Sequence, residues 1–133
     1  MVERRVRILM VKFGEGYESA MMKLAQSFSE AGFEVIYTEL QDPHAIVNSA
    51  IQESVDHIGV TTLPGADIQT FSTLIELLRK EDAGHIRITA GGFLDEADIP
   101  KIKAMGVVEF FPRGTSYDEL IDWATRNIKP TQD

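Results

Sequence analysis

Within eight residues, Lys12 to Ser19, the chain gathers a cation, two glycines, two carboxylates, a phenol and a hydroxyl: Lys12, Gly14, Glu15, Gly16, Tyr17, Glu18 and Ser19. A glycine-rich turn that opens a helix can hold a phosphate, because the first backbone N–H groups point outward at the positive end of the helix dipole. Glu15 and Glu18 would face such a dianion at close range and repel it. The same segment reads equally as a plain glycine turn whose Glu18 favours the helix N-terminus. Aspartyl phosphorylation on a parallel sheet needs an aspartate closing the third strand and acidic residues after the first. Those places hold Thr61-Thr62 and Lys12-Phe13, so neither a phosphoacceptor nor a magnesium site is expected. His44, His57 and His85 fall at one helix start and two strand starts, and the chain has no cysteine. No metal site built from protein side chains is expected, and no catalytic residue.

The elements that must carry this loop alternate short β-branched runs with stretches of helical period. Strands are expected at Val6–Val11, Phe33–Tyr37, His57–Thr62, Ile86–Ala90 and Val107–Phe111. The first helix presents Ala20, Met21, Leu24, Ala25, Phe28 and Ala31 as its core face and stops at Gly32. The second follows Asp42-Pro43 to about Ser54 with Ile46, Val47, Ala50 and Ile51 inward. Asp67 caps the third, which carries Ile68, Phe71, Leu74, Ile75 and Leu78 and closes at Gly84. Gly91-Gly92 forms a tight turn before a short helix, Glu96 to Met105, which Pro100 kinks or starts late. Ser116 caps the last helix, with Leu120, Ile121, Trp123, Ala124 and Ile128 inward.

Five strand–helix units predict an α/β, flavodoxin-like (Rossmann-like) doubly wound parallel sheet of order 2-1-3-4-5 with helices on both faces. Sites in such sheets lie beyond the carboxyl ends of the strands, so four loops carry the functional expectation: Lys12 to Ser19, Thr61 to Asp67, Gly91 to Asp95 and Pro112 to Ser116.

The 133 residues suit a single domain, structured over about 5–128 with a polar tail at 129–133. A hydrophobic content of 44% supplies a core, and a formal charge of -8 disfavours nucleic acid and anionic membranes as partners. The apolar run Val6 to Val11 is interrupted by Arg7 and is too short for a signal core or a span, so a cytoplasmic protein is expected.

Taken in order, the loops carry a further likeness. Arg7-Ile8-Leu9 with Lys12, Gly14 and Gly16, then Ala31-Gly32-Phe33-Glu34-Val35, Gly59-Val60-Thr61-Thr62-Leu63, Ala90-Gly91-Gly92, Gly106-Val107 and Phe111 to Thr115 resemble the cobalamin-binding domain of methylmalonyl-CoA mutase. The likeness runs from about Arg7 to Ile128 and extends to the glutamate mutase small subunit and the methionine synthase cobalamin module. That family carries Asp-x-His-x-x-Gly after strand one, and its histidine replaces the cofactor's own base on cobalt. The resemblance sets Glu15 at the aspartate, Tyr17 at the histidine and Ala20 at the glycine, with one residue fewer between Lys12 and Glu15. Lys12 matches the family lysine that joins aspartate and histidine in a hydrogen-bonded relay. Thr61-Thr62-Leu63 stands at the family's Ser-x-Leu.

The resemblance therefore implies a stand-alone cobalamin-binding domain or small subunit of a mutase-type isomerase, not catalytic alone and partnered by a large catalytic barrel subunit. The implied cofactor-binding residues are Lys12, Gly14, Glu15, Gly16, Tyr17, Thr61, Leu63, Gly91, Gly92, Gly114 and Thr115. A neutral imidazole ligates cobalt well and is oriented through its second nitrogen. A phenol is the poorer ligand, and neighbouring Glu15 and Glu18 oppose its ionisation. Cobalamin is thus expected to bind base-on or without a protein ligand to cobalt. The altered loop also fits a second outcome, a degenerate member that has lost the cofactor and serves as an accessory or interaction subunit.

Overall fold

A computed structural model describes residues 4–131; the first three residues of the charged N-terminus and the last two of the polar tail lie outside the described residues. The strands are β1 (Arg7–Phe13), β2 (Glu34–Tyr37), β3 (His57–Thr62), β4 (Arg87–Gly92) and β5 (Glu109–Pro112). The helices are α1 (Glu18–Glu30), α2 (Pro43–Gln52), α3 (Gln69–Lys80), α4 (Ile99–Met105) and α5 (Tyr117–Asn127). All neighbours are parallel and the sheet order is β2-β1-β3-β4-β5, the doubly wound arrangement expected from the alternation.

The two faces of the sheet differ in what they offer the helices. Toward α2, α3 and α4 project Leu9, Val11 and Phe13, Ile58 and Val60, and Ile88 and Ala90, which form the main core with Ile46, Phe71, Leu74 and Ile102. Toward α1 and α5 the central strands carry alternating small or polar residues, Gly59 and Thr61 on β3, Thr89 and Gly91 on β4. The apolar cluster on that side is correspondingly smaller: Ile8, Met10, Phe28, Phe33, Ala124 and Ile128. Closely packed interiors leave few voids, so a face furnished this way either draws its helices in or leaves a space.

Several local expectations are corrected. Ala20 and Ala31 are exposed, because one faces the open space above the strand ends and the other lies past the last turn of α1. Ile51, near the end of α2, is exposed as well. The left-handed residue that follows α3 is Asp82 (φ 59°), with the Ala83 N–H returning to the Leu78 carbonyl, so the helix turns off before Gly84. Asp67 accepts the Gln69 N–H through Oδ1 at 2.9 Å, one residue ahead of Ile68, where the regular helix is capped. Pro100 sits in the first turn of α4 after a 3-10 turn at Glu96–Asp98, which is the late start its ring requires. Ser116 caps α5, its Oγ accepting the Glu119 N–H at 3.1 Å.

The larger correction concerns Gly91-Gly92, which are the last two residues of β4 rather than a surface turn. They pair with Thr61 and Thr62. Gly92 has φ 117°, and a Cβ there would stand 2.5 Å from the Thr62 carbonyl oxygen. Glycine at 92 is a requirement of strand pairing.

At the opposite, amino edge of the sheet Asp56 is fully buried and joins Arg4 and Arg7 to Thr131. Its carboxylate accepts two bonds from Arg4 (2.6 and 2.8 Å), the Arg7 N–H (2.8 Å), and the Thr131 N–H and hydroxyl (2.8 and 3.0 Å). Burial by itself would push this carboxyl up; the Arg4 guanidinium and the Arg7 and Thr131 donors bring it down to about 2. Arg4 and Thr131 are thus tied to the amino edge of the sheet.

Candidate functional site

Above the carboxyl ends of β1, β3, β4 and β5 lies a cleft of about 300 Å³ between α1 and α5. Tyr17, Ala20 and Leu24 line one wall; Phe111, Gly114, Thr115, Tyr117 and Leu120 line the other; Thr61, Leu63, Gly91 and Gly92 form its floor. The cleft continues downward, through the shared residues Leu24, Thr61, Gly91, Phe111 and Leu120, into a chamber of about 90 Å³ between the sheet and the two helices. This is the space left by the small residues of β3 and β4. Gly59 lies on its wall, and a Cβ there would meet only ordinary contacts, Ile8 Cγ2 at 3.9 Å and Thr89 Oγ1 at 4.0 Å.

The expected site residues divide between this cleft and a network beside it. Tyr17, Thr61, Leu63, Gly91, Gly92, Gly114 and Thr115 line the cleft; Lys12, Gly14, Glu15 and Gly16 do not. Lys12 is buried. Its three N–H donors meet three acceptors: the Gly16 carbonyl at 3.0 Å, Glu18 Oε1 at 3.3 Å and Glu39 Oε2 at 3.3 Å. Burial works against the charge, and the hydrogen bonds to Glu39 and Glu18 outweigh it, so the Lys12 pKa rises above its ordinary value. Tyr37 joins the same group, its hydroxyl donating to Glu39 at 2.8 Å; burial and Glu39 push that phenol up to about 12.

Glu15 takes no part in that network. Its carboxylate accepts from Gln41 Nε2 at 3.0 Å, and the Gln41 amide also clamps the backbone N–H and carbonyl of Gly14 at 2.9 and 3.0 Å. The lysine–carboxylate relay implied by the resemblance is replaced by one through Glu18 and Glu39. Together the two sets fix the loop up to Tyr17, which holds a left-handed backbone (φ 62°) at the head of α1.

The Tyr17 ring is half exposed and lies 5.5 Å from the Phe93 ring, and the Arg113 guanidinium covers Phe93 at 4.0 Å. An aromatic–cationic bridge therefore runs across the mouth of the cleft from the β1 loop to the β5 loop. Phe93 and Arg113 leave no signal in the sequence, since a single aromatic and a single arginine in separate loops carry no spacing pattern.

His44 and His85 are exposed, away from the cleft. His57 is buried at the far end of the chamber, where its Nε2 meets Thr89 Oγ1 at 2.9 Å. Among the described residues no group of three or more histidine, cysteine, aspartate or glutamate side chains could hold a metal ion. None of the described helices is long and apolar enough to cross a membrane.

The family model described as the B12 binding domain matches residues 7–121, which takes in every loop of the cleft. The chain belongs to the B12-binding domain family. Cobalamin is the cofactor of this B12-binding domain, and the cleft suits a long, jointed ligand: it is open above and shares its floor with a smaller, mostly apolar chamber. Over 124 residues the domain is 34% identical to the 2-hydroxyisobutanoyl-CoA mutase small subunit of Aquincola tertiaricarbonis, covering 92% of this chain and 91% of that one. Over 124 residues it is 32% identical to the pivalyl-CoA mutase small subunit of Xanthobacter autotrophicus, covering 92% and 83%. Its fold matches a cobalamin-binding protein from Desulfitobacterium hafniense with a TM-score of 0.74 at 14% identity, over 92% of this chain and 58% of that one.

Proposed function

We propose that this chain is the cobalamin-carrying small subunit of a mutase acting on a coenzyme A thioester, and that it holds the cofactor by its nucleotide tail with no protein histidine on cobalt. The observation that carries this reading is the cleft running between α1 and α5 into the chamber beside Gly59. Thr61, Leu63, Gly91, Gly92, Gly114 and Thr115 would hold the tail along the strand ends, with the chamber open to its base, and Tyr17 at the head of α1 would face the corrin. Lys12, Glu18, Glu39 and the Gln41 clamp on Gly14 keep the Tyr17 loop in place. When bound, cobalamin supplies the radical chemistry; the acyl group is held by a larger partner subunit. The small-subunit relatives, matched over nearly their whole length, support that division of labour.

Purified protein mixed with cob(II)alamin and then desalted tests this directly. Retained pigment in about stoichiometric amount, with the spectrum of a corrin whose tail base is off cobalt, is expected. A colourless protein fraction would leave the accessory-subunit outcome in its place.

Tyr17→His provides a second check. The imidazole would stand at the family's ligand position, but the loop is one residue short, and ligand bonds tolerate only about 0.2 Å. Partial histidine ligation is expected from the single change, and more when one residue is also inserted after Gly14. Spectra identical to the parent in both variants would place Tyr17 away from the cobalt.

A further inference from the structure

The chamber wall is apolar along most of its surface, from Ile8, Met10, Leu24 and Phe28 to Leu120 and Ala124. Its polar side chains on the sheet are Thr61, at the upper end, and His57 with Thr89, at the lower end. His57 and Thr89 come from adjacent strands on one face and are joined at 2.9 Å. Gly59 and Gly91, each two residues further along the same face of the same strands, present no side chain. No side chain of β3 or β4 on this face therefore stands between Thr61 and the imidazole–hydroxyl pair. Burial, with the nearby Arg87 charge, lowers the His57 pKa to about 4, so the ring is neutral near pH 7. A neutral ring has one donor and one acceptor nitrogen, and the threonine hydroxyl retains bonding capacity beyond its bond to Nε2.

An apolar slot that ends in a hydrogen-bonding pair selects by shape along its length and by chemistry at its end. We propose that His57 and Thr89 read the base at the end of the cofactor's nucleotide tail, favouring a purine, which carries hydrogen-bonding groups on its far edge, over a benzimidazole that ends in methyl groups. This inference rests on the tail-in-slot reading above. It makes the chain selective among corrinoids that share one ring and differ only in the tail. His57 and Thr89 are specificity residues in this scheme, distant from cobalt and from any acyl substrate.

Equilibrium binding of the full chain to three cobalt(II) corrinoids tests it: a cobamide with an adenine tail base, one with 5,6-dimethylbenzimidazole, and cobinamide, which has no base. Both tailed corrinoids should bind more tightly than cobinamide, and the adenine form should exceed the benzimidazole form by about tenfold, the size of one or two net hydrogen bonds. Thr89→Val, which keeps the shape of the side chain, should cut that ratio to within threefold, and so should His57→Val combined with Thr89→Val. Melting curves identify any variant that has lost its fold, and the conservative Thr89→Val result then decides. Equal or reversed preference in the parent protein, or a preference that survives in folded Thr89→Val, would overturn the assignment of the pair while leaving the slot in place. Tailed corrinoids that bind no better than cobinamide would instead overturn the slot itself.

Discussion

Gly59→Leu is expected to lower cobalamin affinity by about two orders of magnitude while the protein stays folded. The substitution lies in the middle of β3, where the backbone is ordinary strand and a Cβ meets nothing closer than 3.9 Å. A leucine is better suited to a strand interior than glycine, which loses more chain entropy on folding. The side chain projects toward α1 and α5 and fills the chamber of about 90 Å³ that the tail base would need. Forcing extra methylenes into a filled space costs roughly 1–3 kcal/mol or more, which corresponds to about five- to 150-fold or more in affinity. Isothermal titration together with thermal melting checks both halves of the expectation. Undiminished binding by a folded variant would exclude the chamber. Gly92 is the wrong place for this test despite its position in the cleft floor. Any side chain there collides with the Thr62 carbonyl and disturbs strand pairing first.

The second large effect is on stability. Asp56→Asn removes the charge that Arg4, Arg7 and Thr131 converge on, in a site closed to solvent. Removing one partner of a buried charged network typically costs about 3–5 kcal/mol; asparagine keeps one acceptor, so a loss of about 2–4 kcal/mol is expected. For a chain of this size that lowers Tm by roughly 8–14 °C. The sign with pH follows from the depressed carboxyl: its contribution is present above about pH 4, where an unfolded aspartate is ionised, and fades as pH falls toward 2. The shift from an ordinary 3.8 to about 2 corresponds to about 2 kcal/mol. The gap between parent and variant should therefore narrow below about pH 3. Urea melts at pH 7 and pH 2.5 measure it, and an equal gap at both would assign the loss to something other than the charge.

The sheet was legible in the sequence because five β-branched runs alternate with helical periods, and that pattern admits few topologies. The cleft floor was legible for the same reason, since Thr61, Leu63, Gly91 and Gly92 close central strands. The burial of Lys12 was not legible, because it depends on acceptors from Gly16, Glu18 and Glu39, which no local spacing brings together. The chamber does leave a trace in the sequence. On β3 and β4 one face carries Gly59, Thr61, Thr89 and Gly91 beyond His57, while the other carries Ile58, Val60, Ile88 and Ala90. A parallel strand buried on both sides ordinarily reads as continuously apolar, so that one-sided thinning marks a space against the sheet.

Electron paramagnetic resonance of the protein loaded with cob(II)alamin, recorded with natural-abundance and nitrogen-15-labelled histidines, tests the central claim most directly. With the tail base in the chamber and Tyr17 beneath the corrin, the cobalt hyperfine lines should carry no nitrogen splitting, and the two spectra should coincide. Splitting that changes from a triplet to a doublet pattern on histidine labelling would show a protein imidazole on cobalt and contradict the assignment of the Tyr17 loop.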